Sequence, residues 1–233
     1  MNVSLIIPPA IDWNMPLIAL PLLKKYLPNN WNVKIIDINA KLFSLQFGHS
    51  TLKALKNDFL EALDSHDLQK AVDICLDIEL NMSAKKIGSS VLEGRSLRIL
   101  DNWFNSNKVY EYLQGEHHLI SIFSQLLENT IEENTMDAFG ISISVEEQIV
   151  PSFIISMILR QKYPKSKIVF GGNIISRLAD NFQKSILTEY FDLLIVGEGE
   201  LCLQKAIEYV VSHEKINDKI YNIIIIINAW ITI

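Results

Sequence analysis

IVFGGN at residues 168–173 and DLLIVGEGE at residues 192–200 are two segments in which a short apolar run ends on a glycine turn. Short apolar runs of this kind are typical of strands buried on both faces of a parallel sheet. Glycine has no Cβ, so the backbone can turn sharply there and a ligand can approach it closely. A helical pattern separates the two segments, and the pair therefore predicts two strands whose carboxyl ends border a ligand.

The first forty residues predict a β-α-β unit. An apolar run at residues 3–7 ends on Pro8 and Pro9, and a second run occupies residues 31–37. Between them, Pro16 suits a first helical turn, and an apolar stripe at helical spacing follows it. The stripe consists of Leu17, Leu20, Leu23 and Leu27. Strands joined in this way are parallel, with a right-handed crossover.

The remaining elements extend this unit to five strands. A stretch from about residue 41 to residue 135 is far longer than a crossover needs. Apolar spacing there predicts amphipathic helices at residues 52–63 and 68–76 and a further helical pattern at residues 109–127, around a turn-rich stretch near residues 88–107. A third strand is predicted at residues 138–144, followed by a helix over residues 150–163. The expected fold is an α/β, flavodoxin-like, doubly wound parallel sheet in the order 2-1-3-4-5, with a helical insertion between strands 2 and 3.

Domain organisation follows from the same pattern. Residues 1–213 are expected to form one Rossmann-like domain, and residues 214–233 form an apolar tail that is too short to cross a bilayer. Three interpretations of the tail stay open: an edge strand, a strand that binds a partner, and the start of a missing domain.

Composition narrows the classes of partner and compartment. The net charge of −6 and the pI near 5.4 disfavour nucleic acid as the main partner and give no attraction to an anionic membrane. The amino terminus lacks the basic region of a secretory signal, so a cytoplasmic location is expected. Cys75 and Cys202 fit no metal-binding spacing and are interpreted as reduced core residues.

These segments together resemble the N-terminal cobalamin-binding domain of cobalamin-dependent radical SAM enzymes, especially the branch that modifies peptides and natural products. The resemblance covers residues 2 to about 212 and includes the helix after Pro16. The matching motifs are LIIPP (5–9), VKIID (33–37), FGIS (139–142), VFGG (169–172) and DLLIVGEGE (192–200).

The resemblance implies a cobalamin site at the carboxyl ends of the strands. Ser142 and Ser144 would hydrogen-bond the nucleotide tail, glycines would let it pass close to the backbone, and Trp13 would cover one face of the corrin. The full set of implied cofactor-binding residues is Pro9, Trp13, Ser142, Ser144, Gly171, Gly172, Asn173, Gly197, Glu198 and Gly199.

Two departures from the family pattern limit the expected activity. The iron–sulfur motif C-x-x-x-C-x-x-C is absent, so no iron–sulfur cluster is expected in this chain, and by itself the chain is not expected to be catalytic. The second departure is from the methionine-synthase type of cobalamin domain, whose loop after the first strand gives a histidine to cobalt. The loop at residues 10–15 contains no histidine, as in many radical SAM relatives, and no protein metal ligand is assigned. The expected function is to hold the corrinoid, as methyl carrier or redox partner, for a radical SAM domain acting on a peptide or small molecule.

Plainer interpretations of the same residues remain. The serines can simply end a strand, the glycines can serve only as turns, and Trp13 can be a packing residue. Glu198 and Glu200 suit a helix amino terminus without any catalytic role. The whole chain can also be a non-catalytic flavodoxin-like interaction module, because this architecture hosts many functions. A nucleotide or flavin site is a weaker alternative, since no G-x-G-x-x-G follows the first strand.

Overall fold

A twisted sheet with helices on both faces organises the protein. The structure, a computed structural model, describes residues 1–9, 18–83, 86–87, 90–93, 96–98, 104–115, 118–131, 135–212 and 223–225. In chain order the elements are β1 (Asn2–Ile7), α1 (Ala19–Tyr26), β2 (Asn32–Asp37), α2 (Ile38–Phe47), α3 (His49–Asp64), α4 (Leu68–Ser83), β3 (Lys86–Ile87), β4 (Ser90–Glu93), β5 (Ser96–Arg98), α5 (Ser106–Leu113), α6 (His118–Glu128), β6 (Ala138–Ser142), α7 (Ile149–Lys162), β7 (Lys167–Gly171), α8 (Asn173–Gln183), β8 (Leu193–Ile195), α9 (Leu203–Ser212) and β9 (Ile223–Ile225).

Five of these strands are parallel and lie in the order β2-β1-β6-β7-β8. Because β6, β7 and β8 are the third to fifth parallel strands along the chain, the predicted order 2-1-3-4-5 is confirmed. The chain leaves β1 toward β2 on one side, and the other three strands lie on the other side. The direction of winding therefore reverses between β1 and β6, the kind of place where open α/β sheets bind ligands.

Side chains alternate between two cores because the strands are apolar on both faces. Val3, Leu5 and Ile7 pack with α1 and α9 in one core. Ile6 and the neighbouring Phe139 face the larger core, which α6, α7 and α8 help to form. The core on the α1/α9 face of the sheet is the smaller of the two, and it leaves a cavity unfilled.

The insertion between β2 and β6 contains more than helices. Helices α3 and α4 match the two predicted amphipathic segments, whereas the helical pattern near residues 109–127 is divided between α5 and α6. A small antiparallel sheet, β3-β4-β5, lies in the stretch that the sequence marks only as turn-rich. Helix α2 was not predicted; it begins directly after β2, where the Asp37 carboxylate accepts a hydrogen bond from the amide of Ala40 at 2.7 Å.

The apolar tail contributes one described strand. Strand β9 pairs antiparallel with β8, with Ile223 opposite Ile195, and forms a sixth strand of the main sheet. For residues 223–225 the structure thus corresponds to the edge-strand interpretation. Among the described residues, no helix has both the length and the apolar character that a bilayer crossing requires.

Candidate functional site

A cavity of about 420 Å³ opens at the carboxyl ends of the parallel strands, between the sheet and helix α1. Its volume lies within the range of about 300–1,000 Å³ that is usual for small-molecule sites. Leu20 and Leu23 of α1 and Leu203 of α9 form its apolar wall. The cavity is therefore a slot between sheet and helices at the edge where ligands of this fold class bind.

The floor of the slot comes from residues that share one face of the sheet. Alternation along β6 and β7 brings Gly140, Ser142, Val169 and Gly171 to the α1 side, and each of them lines the cavity. A Cβ on Gly140 would come within 2.9 Å of Leu5 Cδ2, whereas a Cβ on Gly171 would have no neighbour nearer than Ile195 Cβ at 3.8 Å. The slot exists because these glycines place no side chains in it.

The loops after β6 and β7 are packed directly against each other at the rim. The amide of Ile143 donates to the Gly171 carbonyl at 2.7 Å, and the amide of Ile174 donates to the Ile143 carbonyl at 3.1 Å. Gly172 adopts φ 106° and ψ 175°, a conformation that is essentially restricted to glycine. A Cβ at Gly172 would also lie 2.4 Å from the Ile143 carbonyl oxygen. The second glycine of the turn is thus required by the backbone itself.

Ser176 connects this rim to the second glycine turn. Its hydroxyl accepts a hydrogen bond from the Gly197 amide at 2.7 Å and donates to the Gly172 carbonyl at 3.2 Å. Because Gly197, with φ 84°, uses its amide in this contact, the Glu198 and Gly199 amides are the better candidates for ligand donors in that turn. Ser176 therefore sets the spacing between the turns that follow β7 and β8.

The structure brings most of the predicted cofactor-binding residues together. Seven of the ten line the cavity: Ser142, Gly171, Gly172, Asn173, Gly197, Glu198 and Gly199. Ser144 does not line it; its amide instead donates to the side chain of Gln148 at 2.8 Å. Pro9 is buried but does not line the cavity, and Trp13 lies outside the described residues.

Several residues that line the cavity were not predicted from the sequence as site residues. Gly140 carried a usable signal, because a glycine inside a strand often marks a close approach of another group. Ser176 carried none, since a serine on an amphipathic helix has many roles. Leu5 and Leu23 looked like ordinary core residues, and only the packing shows that they face the slot.

The electrostatics of the rim combine two helix termini with acidic side chains. Helices α8 and α9 both begin beside the cavity, and Glu198 and Glu200 line it. Carboxylates near a helix amino terminus interact favourably with its dipole. Within the described residues, no three His, Cys, Asp or Glu side chains are grouped as a metal site.

A perturbed titratable group lies elsewhere. Burial raises the pKa of the Tyr190 phenol above its ordinary value, and Glu189 raises it further. The Gln114 amide donates to that phenol oxygen at 3.2 Å, across the contact between α5 and the short 3-10 helix Ile186–Tyr190. Tyr190 therefore belongs to the attachment of the insertion and not to the cavity.

Comparisons of this chain with protein-family models, with curated proteins and with solved structures find no match.

Asp192, the first residue of the DLLIVGEGE motif, has a structural role at the opposite edge of the sheet. Its carboxylate accepts from the Ile168 amide at 2.8 Å and from Arg160 Nη2 at 2.7 Å, and Lys167 Nζ lies 3.7 Å away. Both members of the Arg160–Asp192 pair are largely buried, with side-chain exposures of 23% and 18%.

Replacing Asp192 with alanine is expected to lower the free energy of unfolding by about 2 kcal/mol, because the mostly buried Arg160 guanidinium loses its carboxylate partner and the Ile168 amide loses its side-chain acceptor. Urea denaturation measures this change. Ligand binding at the cavity should stay at the wild-type level, and a variant with undiminished stability would contradict the assigned role.

Proposed function

We propose that this chain is a cobalamin-binding module that holds the corrinoid, as methyl carrier or redox partner, for a radical SAM domain that these 233 residues do not include. The observation that carries the proposal is the apolar slot at the carboxyl ends of the strands, floored by Gly140 and Gly171. The motifs on which the family resemblance rests, FGIS, VFGG and VGEGE, supply residues to this slot.

The shape of the slot suits one part of cobalamin. The nucleotide tail ends in a flat, largely apolar base, and a narrow cavity between a glycine floor and a leucine wall matches such a group. The much larger corrin ring would remain outside, at the edge of the sheet. A small apolar site with a few polar groups at its mouth is what orientation of the tail requires.

Polar groups at the mouth would fix the tail. The Ser142 hydroxyl and the Asn173 side chain can hydrogen-bond the ribose and phosphate, and Gly172 lets them approach the backbone. The amino terminus of α8 favours the phosphate charge. These residues bind and orient the cofactor, and the apolar wall excludes water from the buried base.

Bound cobalamin would supply methyl-transfer or one-electron chemistry at cobalt, while the protein contributes binding, orientation and exclusion of competing reactions. The partner would be a radical SAM domain or chain together with its peptide or small-molecule substrate. The proposal assigns no catalytic side chain to this chain.

Retention of cofactors after desalting tests the proposal. The protein is incubated separately with hydroxocobalamin, with cobinamide, which lacks the nucleotide tail, and with flavin mononucleotide, and visible spectra are recorded. We expect corrin absorbance to be retained with hydroxocobalamin and to be much weaker with cobinamide. If only the flavin is retained, the proposed cofactor would be a flavin and not cobalamin. Retention of none of the three would contradict the cofactor proposal and favour the interaction-module alternative.

A further inference from the structure

Gln148 is a fully buried polar side chain that the cofactor assignment leaves unused. It ends the short 3-10 helix Glu146–Gln148 that precedes α7, and its exposure is 0%. A buried amide is costly unless its polar atoms are hydrogen-bonded. Its contacts therefore indicate why a glutamine occupies a site among apolar neighbours.

Both polar atoms of the Gln148 side-chain amide are hydrogen-bonded to loops. Oε1 accepts from the Ser144 amide at 2.8 Å and from the Val145 amide at 3.4 Å, and Nε2 donates to the Pro8 carbonyl at 2.8 Å. Pro8 follows β1, whereas Ser144 and Val145 follow β6. One side chain thus joins two loops that are distant in sequence, since Pro8 and Gln148 are 140 positions apart.

These three hydrogen bonds of Gln148, the Gln148 tether, lie where the sheet changes its direction of winding. Strands β1 and β6 are neighbours, and the loops at their carboxyl ends border the place where ligands of such sheets bind. Pro8 directly follows β1, whose Leu5 lines the cavity, and Ser144 follows Ser142 of the cavity floor by two residues. A change in these hydrogen bonds therefore acts on two neighbouring strands that line the slot.

We infer that Gln148 is a positioning residue for the cavity: it holds Pro8, just beyond β1, and the loop after β6 at a fixed separation, so that Leu5 of β1 and Ser142 of β6 are already in place when a ligand arrives. It acts through the backbone of Pro8, Ser144 and Val145 and does not line the cavity itself. Preorganisation of this kind strengthens binding because the loops lose less freedom when the ligand arrives. The inference rests on the proposed cobalamin function for its ligand.

The test compares Gln148→Met with the wild-type protein and with Asp192→Ala. Methionine keeps the length and volume of the side chain but removes the three hydrogen bonds. We expect the affinity for hydroxocobalamin to fall about tenfold, which corresponds to about 1.4 kcal/mol. Asp192→Ala also weakens the fold, but at the far edge of the sheet, so its affinity should match that of the wild type. A purely structural role for Gln148 would make the two variants behave alike.

Amide hydrogen exchange provides a second readout that needs no ligand. In Gln148→Met, exchange at Ser144 and Val145 should be faster than in the wild type, while the amides of β7 should be unaffected. Wild-type affinity in Gln148→Met, with a wild-type protein that binds hydroxocobalamin, would overturn the positioning role and leave the proposed function standing. A wild-type protein that retains no corrinoid would overturn the proposed function, and unchanged exchange in the variant would overturn the tether independently.

Discussion

Replacing Gly172 with alanine is expected to lower the free energy of unfolding by about 4 kcal/mol, because two costs add at this residue. Its backbone conformation, φ 106° and ψ 175°, is one that L-amino acids with a Cβ rarely adopt. The new Cβ would also lie 2.4 Å from the Ile143 carbonyl oxygen, and that oxygen belongs to backbone that cannot rotate away. The loop after β6 would have to move, and the hydrogen bond from the Ile174 amide would be disturbed with it.

The adjacent glycine provides a matched control for this prediction. Gly171 has no positive φ, and a Cβ there would make only an ordinary contact with Ile195. Gly171→Ala should therefore leave the free energy of unfolding within about 1 kcal/mol of the wild-type value. Chemical denaturation of both variants measures the difference. Equal stabilities for the two variants would contradict the strained turn described for Gly172.

Replacing Gly171 with leucine is expected to weaken hydroxocobalamin binding about 100-fold, or by about 2.8 kcal/mol, while the fold is retained. The side chain would extend from the floor of the slot into the space that the nucleotide base is proposed to occupy. The backbone tolerates a Cβ at this position, so loss of binding would report occupation of the slot and not unfolding. Equilibrium titration followed by visible absorbance measures the affinity.

Thr135→Leu is the matched control for added apolar bulk. Thr135 is exposed at the opposite edge of the sheet, before β6, and does not line the slot. The affinity of Thr135→Leu for hydroxocobalamin should equal that of the wild type. Wild-type affinity in Gly171→Leu would show that the tail does not enter the slot, and the site would then have to lie elsewhere.

The glycine turns were predictable because their signal is local. Gly171 and Gly172 follow an apolar run directly, and a strand that ends on glycines indicates a turn whatever surrounds it. Which of the two tolerates a side chain was not predictable. Gly172 is restricted by the carbonyl of Ile143, about thirty residues earlier in the chain, whereas Gly171 faces open space.

The two predicted serines show the same limit. Both lie at the carboxyl end of the third predicted strand, residues 138–144, and look equivalent as hydrogen-bonding residues. In the structure Ser142 ends β6 on the face that Gly140 shares, so it lines the cavity. Ser144 lies beyond the strand, where alternation no longer fixes direction, and its amide is held by Gln148. A contact with a buried glutamine on the following 3-10 helix leaves no periodic signal in the sequence.

The missed small sheet has a different cause. Strands β3, β4 and β5 are two to four residues long, which is shorter than the window over which alternation can be recognised. Helices α3 and α4, with sixteen residues each, gave a periodic pattern long enough to be predicted. Element length therefore decided which parts of the insertion could be found.

The sequence by itself determined the five strands and the glycine turns at their carboxyl ends, because apolar periodicity and backbone freedom are local properties. The order of the strands was expected from the usual topology of doubly wound sheets and not from any local pattern. Only the tertiary structure decided that a slot exists, because its wall and floor come from residues as far apart as Leu23, Gly140 and Gly199. A cavity is the volume that packed elements fail to fill, and that volume depends on all of them at once. Gln148 illustrates the point: its hydrogen bonds have meaning only after β1 and β6 have become neighbours.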